Sequence, residues 1–197
     1  IPYQERIKRH GVQLKRRLHE NGITWWDHQL AEYDPLPRYE RFPDIWENYA
    51  AEVGRDPDEF PFWAVTSRSM QYAWGANVGL PLIREVANNI SGHDGVIINR
   101  TRAREAGIEE GDPITIESAA GMSHGRAHLR EGIRPDTVLM IGQFDHWATP
   151  LAKDFGLASL NTVTPLSLSL TDSTGSGADL MRVAVHRGHR SKEGSAA

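Results

Sequence analysis

The stretch VIINRTRAREAGIEEGDPITIES, residues 96–118, decides the fold. Its apolar start, Val96–Asn99, predicts a short strand, and Arg100–Ala106 predicts a short helix with a glycine at its C-terminal end. A Gly-Asp turn then leads into the strand Ile114–Ser118, because glycine allows a positive φ and the aspartate can bond to turn amides. A strand, a helical turn, a tight turn and a strand in this order indicate a small β-barrel.

Strands of the same kind are predicted on both sides of this unit, with glycine-marked turns between them. Thr115 and Glu117 alternate with isoleucines, as in a half-buried strand, whereas the apolar run Val138–Ile141 suits a strand buried on both faces. Pro81 can occupy the first turn of a helix over Leu82–Asn89. The predicted strands are Phe62–Thr66, Val96–Asn99, Ile114–Ser118, His124–Leu129, Val138–Gly142 and Met181–His186.

Composition divides the chain into three parts. Residues 1–60 read as a helix, with Ile7, Leu14 and Leu18 on one face, followed by a strap rich in proline and aromatic residues that includes a short helix near Ile45–Val53. Residues 61–187 read as the β-rich domain, and residues 188–197 read as a flexible tail. The chain begins with isoleucine instead of methionine, so we expect it to be part of a longer polypeptide.

Charge and composition exclude several functions. The net charge of the 197-residue chain is −4, which gives no electrostatic case for nucleic acid. Cysteine is absent, which excludes disulfides, thiolate zinc sites, iron–sulfur ligation and a cysteine nucleophile, and leaves the compartment undecided. No apolar run reaches the roughly 20 residues that a membrane-spanning helix needs.

Further motifs add to the barrel pattern. Thr66-Ser67-Arg68-Ser69-Met70-Gln71-Tyr72 precedes the 96–118 unit, and Gln143 and Ser159-Leu160-Asn161-Thr162 follow it. In this order the motifs of residues 60–187 resemble the C-terminal domain of the dimethyl sulfoxide reductase family of molybdenum and tungsten enzymes. Within that family the chain is similar to the branch of phenylacetyl-CoA:acceptor, thiosulfate and polysulfide oxidoreductases, and Asp34–Tyr39 resembles the linker that enters the domain.

The resemblance implies a fold, a cofactor and a set of ligands. The implied fold is mainly β with short helices, a six-stranded double-psi β-barrel preceded by the helical and extended strap. The implied cofactor is bis-molybdopterin guanine dinucleotide with molybdenum or tungsten, which the barrel holds through its loops. No catalytic or metal-ligating residue is implied in this chain, and the implied cofactor-binding residues are Thr66, Ser67, Arg68, Gln71, Tyr72, Trp74, Gln143 and Asn161.

The residue types suit this ligand independently of the family. A pterin dinucleotide offers fused polar rings, a pyrophosphate and a guanine, and the segment TSRSMQYAWGAN (66–77) supplies amides, a guanidinium and flat apolar side chains. Plainer roles stay open for each of them. Arg68 could pair with a surface carboxylate, Asn161 could be a turn residue, Gln143 could cap a strand, and Tyr72 and Trp74 could be core aromatics.

Other clusters carry weaker hypotheses. His124 and His128 are four apart in a strand pattern, where they would lie about 13 Å from each other, so they do not indicate zinc. Asp145 and His146 are adjacent and point apart on a strand, which favours packing at a domain interface over acid–base catalysis. The glycine- and serine-rich segment 171–179 replaces a stretch in which many family members have lysine or proline, and its backbone amides are an alternative anion site.

The N-terminal part contains two features of a binding surface. The basic residues of 8–17 lie between Glu5 and Glu20, as in a solvated helix face, and an acidic partner is the alternative. Trp25, Trp26 and Trp46 in the strap are expected to pack onto a neighbouring surface.

Two functions follow from these observations. The first is the cofactor-binding part of a molybdenum or tungsten oxidoreductase that acts on a small molecule. Its metal ligand and iron–sulfur cluster then lie in other segments, and its partners are the remainder of the catalytic subunit and an iron–sulfur electron-transfer subunit. The second is a stand-alone pterin-binding or accessory subunit without redox chemistry of its own.

Overall fold

The chain divides into two compact units in a computed structural model. The first unit is Ile1–Glu52 with Leu166–Ala178, and the second is Val53–Pro165 with Asp179–Ala197. The structure describes residues 2–31, 33, 39, 41–72, 80–90, 95–141, 158–165, 167, 170 and 181–190.

The second unit is a closed barrel of six strands, as the sequence predicts. The strands follow one another around the barrel in the order β1-β5-β2-β4-β3-β6. Each predicted strand is present, with its ends within two residues of the prediction. Their bounds are β1 Phe62–Ser67, β2 Val96–Asn99, β3 Pro113–Glu117, β4 Met122–Arg130, β5 Thr137–Ile141 and β6 Met181–Arg187.

The directions of the strands give the barrel two different ends. β1 is parallel to β5, and β2 is parallel to β4, while the remaining neighbours are antiparallel. β1, β3 and β5 therefore all finish at one end, which we call the upper end, and β2, β4 and β6 begin there. The connections β1–β2, β3–β4 and β5–β6 all belong to the upper end, and the other two connections belong to the lower end.

Every strand contributes two alternating apolar side chains to one core. Ala64 pairs with Val138, Val96 pairs with Met140, and Ile98 also pairs with Val138, so that these side chains share one face of the sheet. They are at most 1% exposed. The full set is Phe62, Ala64, Val96, Ile98, Ile114, Ile116, Ala127, Leu129, Val138, Met140, Met181 and Val183, all buried.

The outer face of β3 differs from the prediction of a half-buried strand. Thr115 is fully buried and Glu117 is 7% exposed, because residues after β6 fold back over this strand. The Thr115 hydroxyl donates to the Gly188 carbonyl at 2.8 Å and accepts from the backbone N–H of Arg190 at 2.9 Å. Residues 188–190, the start of the expected flexible tail, are thus bonded to the barrel, and residues 191–197 lie outside the described part.

Three short helices accompany the barrel. α4 (Pro81–Asn88) and α5 (Arg100–Glu105) confirm the two predicted helices, and Pro81 begins the first of them. The side chain of Asn99 caps α5 by accepting from the N–H groups of Thr101 and Arg102. α6 (Leu160–Val163) was expected to be a turn, and the 3₁₀ turn Pro57–Glu59 was not predicted.

Helices make up most of the described part of the first unit. α1 (Pro2–Glu20), α2 (Asp27–Leu30) and α3 (Phe42–Glu52) are described, of which α2 was not predicted. Trp46 of α3 is 3% exposed, so the expectation that it packs onto a neighbouring surface is wrong. Within the described ranges, no helix combines the length and the apolar character needed to cross a membrane.

The packing face of α1 also differs from the prediction. Leu14 was expected to pack beside Ile7 and Leu18, but it is 42% exposed. Gly11 is buried instead, and a Cβ added there would lie 2.4 Å from the Cβ of Tyr33. The missing side chain of Gly11 therefore allows Tyr33 to approach the helix, and the close contact forms there instead of at Leu14.

Candidate functional site

The first group of candidate ligands follows β1 at the upper end of the barrel. Thr66 and Ser67 are the last two residues of β1, and Arg68 comes directly after them. Thr66 and Arg68 are exposed and Ser67 is half-buried. Two hydroxyls and a guanidinium thus stand at the rim of the barrel, where a ligand can reach them.

A turn with buried ends continues this rim. Ser69 and Tyr72 are 8% and 5% exposed, and the backbone N–H of Tyr72 donates to the Ser69 carbonyl at 3.4 Å. The Ser69 hydroxyl accepts from the backbone N–H of Gln71 at 3.3 Å and donates to the Gln71 side-chain oxygen. Ser69 therefore fixes the orientation of the Gln71 amide. Tyr72 lies buried at the end of the turn, and its expected contact with the cofactor stays a prediction.

The connection after β5 begins at the same place. Ser67 pairs with Ile141 in the parallel β1–β5 ladder, so both strands end side by side. Gln143 comes two residues after Ile141 in the sequence. Gln143 itself lies outside the described residues, as do Trp74 and the glycine- and serine-rich segment 171–179.

Asn161 belongs to the same end through a different set of contacts. It lies in α6, which packs on the β3–β4 hairpin. The Ser118 hydroxyl donates to the Val163 carbonyl at 2.6 Å, and the Ser123 hydroxyl accepts from the backbone N–H of Ser159 at 2.8 Å. These two buried bonds hold α6 at both of its ends, and they leave Asn161 on its exposed side.

The hairpin approaches α6 closely because it contains a glycine. A Cβ added at Gly121 would lie 2.6 Å from the Thr162 carbonyl oxygen, next to Asn161. Gly121 and Ala120 also donate their N–H groups to the Ser118 hydroxyl, which fixes the turn. Asn161 was identified from its motif, without these supporting residues. In the sequence, Gly121 is the feature that points to them.

A buried ion pair supports the outer surface of the barrel near the upper end of β3. Glu117 accepts from the Arg55 guanidinium at 3.0 Å and contacts the His186 ring nitrogen at 3.0 Å. Arg55 also binds Glu59, and the hydrogen bond with Glu59, followed by that with Glu117, raises the pKa of Arg55. These charges are matched within the protein. Arg68, directly after β1, is exposed at the rim.

The donor set fits a large polar ligand with phosphates. Arg68 offers a guanidinium to an anion, Thr66 and Ser67 offer hydroxyls, and Gln71 and Asn161 offer amides that can both donate and accept. Among the described residues, no cluster of His, Cys, Asp or Glu could hold a metal ion. The donor set therefore suits an organic cofactor held by its rings and phosphates.

Comparisons with known proteins agree with this chemistry. The model of the molydopterin (molybdopterin) dinucleotide binding domain matches residues 68–178. The molybdopterin-containing subunit ArrA of the arsenate respiratory reductase from Shewanella sp. (strain ANA-3) is 31% identical over 97 residues, 47% of this chain and 11% of that protein. Acetylene hydratase from Pelobacter acetylenicus has a TM-score of 0.61 at 15% identity, over 80% of this chain and 22% of that one.

These matches have different weight. The likeness to acetylene hydratase shows the fold, which is the six-stranded double-psi barrel that the sequence predicts. The family model begins at Arg68 and ends just before β6, so it contains most of the candidate ligands. The chain spans 11% of the curated relative and 22% of the solved structure, a small part of either.

Proposed function

Because the chain belongs to the molybdopterin dinucleotide-binding domain family, we propose that it is the cofactor-binding part of a molybdenum or tungsten oxidoreductase. Its cofactor is bis-molybdopterin guanine dinucleotide, and its substrate is a small molecule. The remainder of the catalytic subunit supplies the metal ligand. An iron–sulfur electron-transfer subunit exchanges electrons with that catalytic subunit. The cluster lies outside this chain, because the chain has no cysteine to bind one.

The main support for the proposal is the end of the barrel at which the candidate ligands occur. The residues implied as ligands by sequence come from separate parts of the chain, and the strand directions support a common location for them at one end of the barrel. Thr66 and Ser67 end β1, and Arg68 and Gln71 come after it. In the sequence Gln143 follows the parallel neighbour β5, and Asn161 lies on the helix packed against the β3–β4 hairpin. A ligand the size of a pterin dinucleotide needs contacts from several connections at once.

Each residue has a specific role in this proposal. Arg68 binds a phosphate or a ring carbonyl, and Thr66 and Ser67 complete the same contact with their hydroxyls. Gln71 and Asn161 form hydrogen bonds with the polar edges of a ring, and Gln143 adds a third amide. Trp74 offers a flat surface to a ring, and Tyr72 keeps the turn in place from its buried position.

The bound group supplies two-electron redox chemistry at its metal, and this chain supplies the affinity, orientation and hydrogen bonds that tune it. The side chains at the upper end do not themselves exchange electrons. Their contribution is a rim of fixed donors whose geometry does not depend on the ligand. Ser69, Ser118 and Ser123 provide this rigidity through bonds that are within the barrel.

The test is cofactor analysis of the natively purified protein with its associated chains. We expect molybdenum or tungsten together with pterin guanine dinucleotide. Arg68→Gln should lower cofactor affinity roughly 10- to 100-fold, because a hydrogen bond to a charged group contributes about 1.5–3 kcal/mol. Arg104→Gln is the matched control, since Arg104 is an exposed arginine of α5 at the other end of the barrel.

Two results would contradict the proposal. Native protein without metal and without pterin would leave only the barrel fold, and it would favour a binding module. Equal cofactor content in Arg68→Gln and Arg104→Gln would show that the ligand does not use the rim after β1.

A further inference from the structure

Helix α1 carries an excess of positive charge that the described part of the protein does not neutralise. It contains six Lys and Arg against two Glu, although the whole chain has a net charge of −4. Lys15 pairs with Asp27 at 3.2 Å and Arg16 pairs with Glu20 at 3.6 Å. Among the described residues, no carboxylate forms an ion pair with the other four, which are Arg6, Lys8, Arg9 and Arg17.

The short helix α2 brings two tryptophans next to this charge. Asp27 is bound by both Lys15 and His19 of α1, and the hydrogen bond from His19, at 2.7 Å, lowers the pKa of Asp27. Trp26 directly precedes Asp27. It is 41% exposed, and Trp25 is 59% exposed.

Helical spacing places part of the positive charge of α1 on the same face as the two residues that bind Asp27. Lys8, Val12, Lys15 and His19 follow one another at intervals of four, three and four residues, so they lie on one face of α1. Lys15 and His19 anchor Asp27, and Val12, one turn earlier, is 64% exposed. We call this face, with Lys8, Val12, Trp25 and Trp26 and with Arg9 about a quarter turn away at its edge, the α1–α2 surface.

The composition of the α1–α2 surface points to a protein partner. Tryptophan and arginine are the residues most enriched among those that carry the energy of protein interfaces. A bilayer is a poor fit, because Ile7 and Leu18 of α1 are half-buried within the unit. The exposed apolar side chains Val12 and Leu14 are two positions apart, so they lie on different faces of the helix and form no continuous apolar stripe. Cations that no described carboxylate pairs, together with exposed indole rings on the same helical unit, match carboxylates set around an apolar patch.

We propose that the α1–α2 surface docks onto an acidic protein surface outside residues 1–197, with Lys8 and Arg9 paired to its carboxylates and Trp25 and Trp26 packed against its apolar centre. The α1–α2 surface belongs to the helical unit and uses none of the candidate cofactor ligands. The inference therefore goes beyond the cofactor-binding role and does not depend on it.

Carbodiimide cross-linking of the natively purified complex tests the proposal, because this reagent joins a lysine to a carboxylate only when the two are in contact. The Lys15–Asp27 pair provides an internal reference for the reaction. We expect Lys8 to be linked to an Asp or Glu that does not belong to residues 1–197. Arg9→Glu should lower the yield of this link, and the affinity of the complex, at least tenfold, and the Lys15–Asp27 link should be unchanged.

Arg104→Glu is the matched charge reversal, on an exposed helix of the barrel unit, and should leave both readouts unchanged. The proposal is overturned if no other polypeptide or segment is linked to Lys8 while the Lys15–Asp27 link forms. It is also overturned if Lys8 is linked only to acidic residues of a second copy of this chain, or if Arg9→Glu leaves the complex as stable as Arg104→Glu does.

Discussion

Replacing Gly121 with alanine should displace α6 and with it the candidate ligand Asn161. Gly121 lies in the β3–β4 hairpin, where its Cβ would be 2.6 Å from the Thr162 carbonyl oxygen of α6. Ordinary contact begins at 3.4 Å, so the hairpin and α6 must separate by about 0.8 Å. The obstacle is backbone and cannot rotate away, and α6 carries Asn161.

The magnitude follows from what resists this separation. The Ser118 hydroxyl bonds to Val163 at 2.6 Å and the Ser123 hydroxyl bonds to Ser159 at 2.8 Å, and both would be stretched. Overpacking of a close contact costs about 1–3 kcal/mol, and we expect the free energy of unfolding to fall by this amount. Displacing Asn161 by a similar distance should weaken cofactor binding roughly tenfold, because a neutral hydrogen bond contributes about 0.5–1.5 kcal/mol.

Gly132→Ala is the matched control. A Cβ at Gly132 meets nothing within 4 Å, and its backbone does not need a positive φ. Urea unfolding of both variants measures the first effect, and cofactor content after identical purification measures the second. If Gly121→Ala matches Gly132→Ala in both, the close packing of α6 on the hairpin does not position the site and the reasoning is wrong.

Three further predictions concern the scaffold. Glu117→Gln should lower the free energy of unfolding by about 1–2 kcal/mol in urea titrations, since it leaves the partly exposed Arg55 with a weaker partner. Asn99→Ala should cost about 2 kcal/mol in the same assay, because it removes the α5 cap and a bond to a backbone carbonyl. Burial, and then the nearby charge of His189, lowers the pKa of His124, so the unfolded chain binds more protons and stability should fall as pH drops below about 6.5. His124→Asn should reduce that fall between about pH 7.5 and about pH 5, and an unchanged pH profile would contradict the assignment.

The strands could be predicted because their local signals agree with the barrel. Glycines mark the turns before β2, β3 and β4, and apolar residues alternate inward in Val96–Asn99 and Ile114–Ser118. The burial of Thr115 and Glu117 could not be predicted in the same way. It depends on Gly188–Arg190 and on Arg55, which are distant in sequence, and alternation reports only the two faces of an isolated sheet.

The two four-residue helices, α2 and α6, were not predicted, for a related reason. A helix of four residues, such as Asp27–Leu30 or Leu160–Val163, is too short for a 3.6-residue repeat to appear. Its stability comes from bonds to other elements, and the Ser118–Val163 bond is one of them. Arg68 and Asn161 were identified by their motifs, and their roles as ligands stay predictions. What the sequence could not provide is the set of buried serines that orient Gln71 and hold the helix of Asn161.

The position of β1 in the barrel has a consequence for folding order. β1 pairs only with β5 and β6, whose first residues are 75 and 119 positions further along the chain than Phe62. During synthesis β1 therefore emerges long before either neighbour exists, while β2, β3 and β4 can already pair among themselves. Contacts of such high sequence separation form slowly. The rim that starts at Thr66 is thus among the last parts of the barrel to gain its final geometry, and a cofactor that needs this rim can be bound only by an almost completely folded domain.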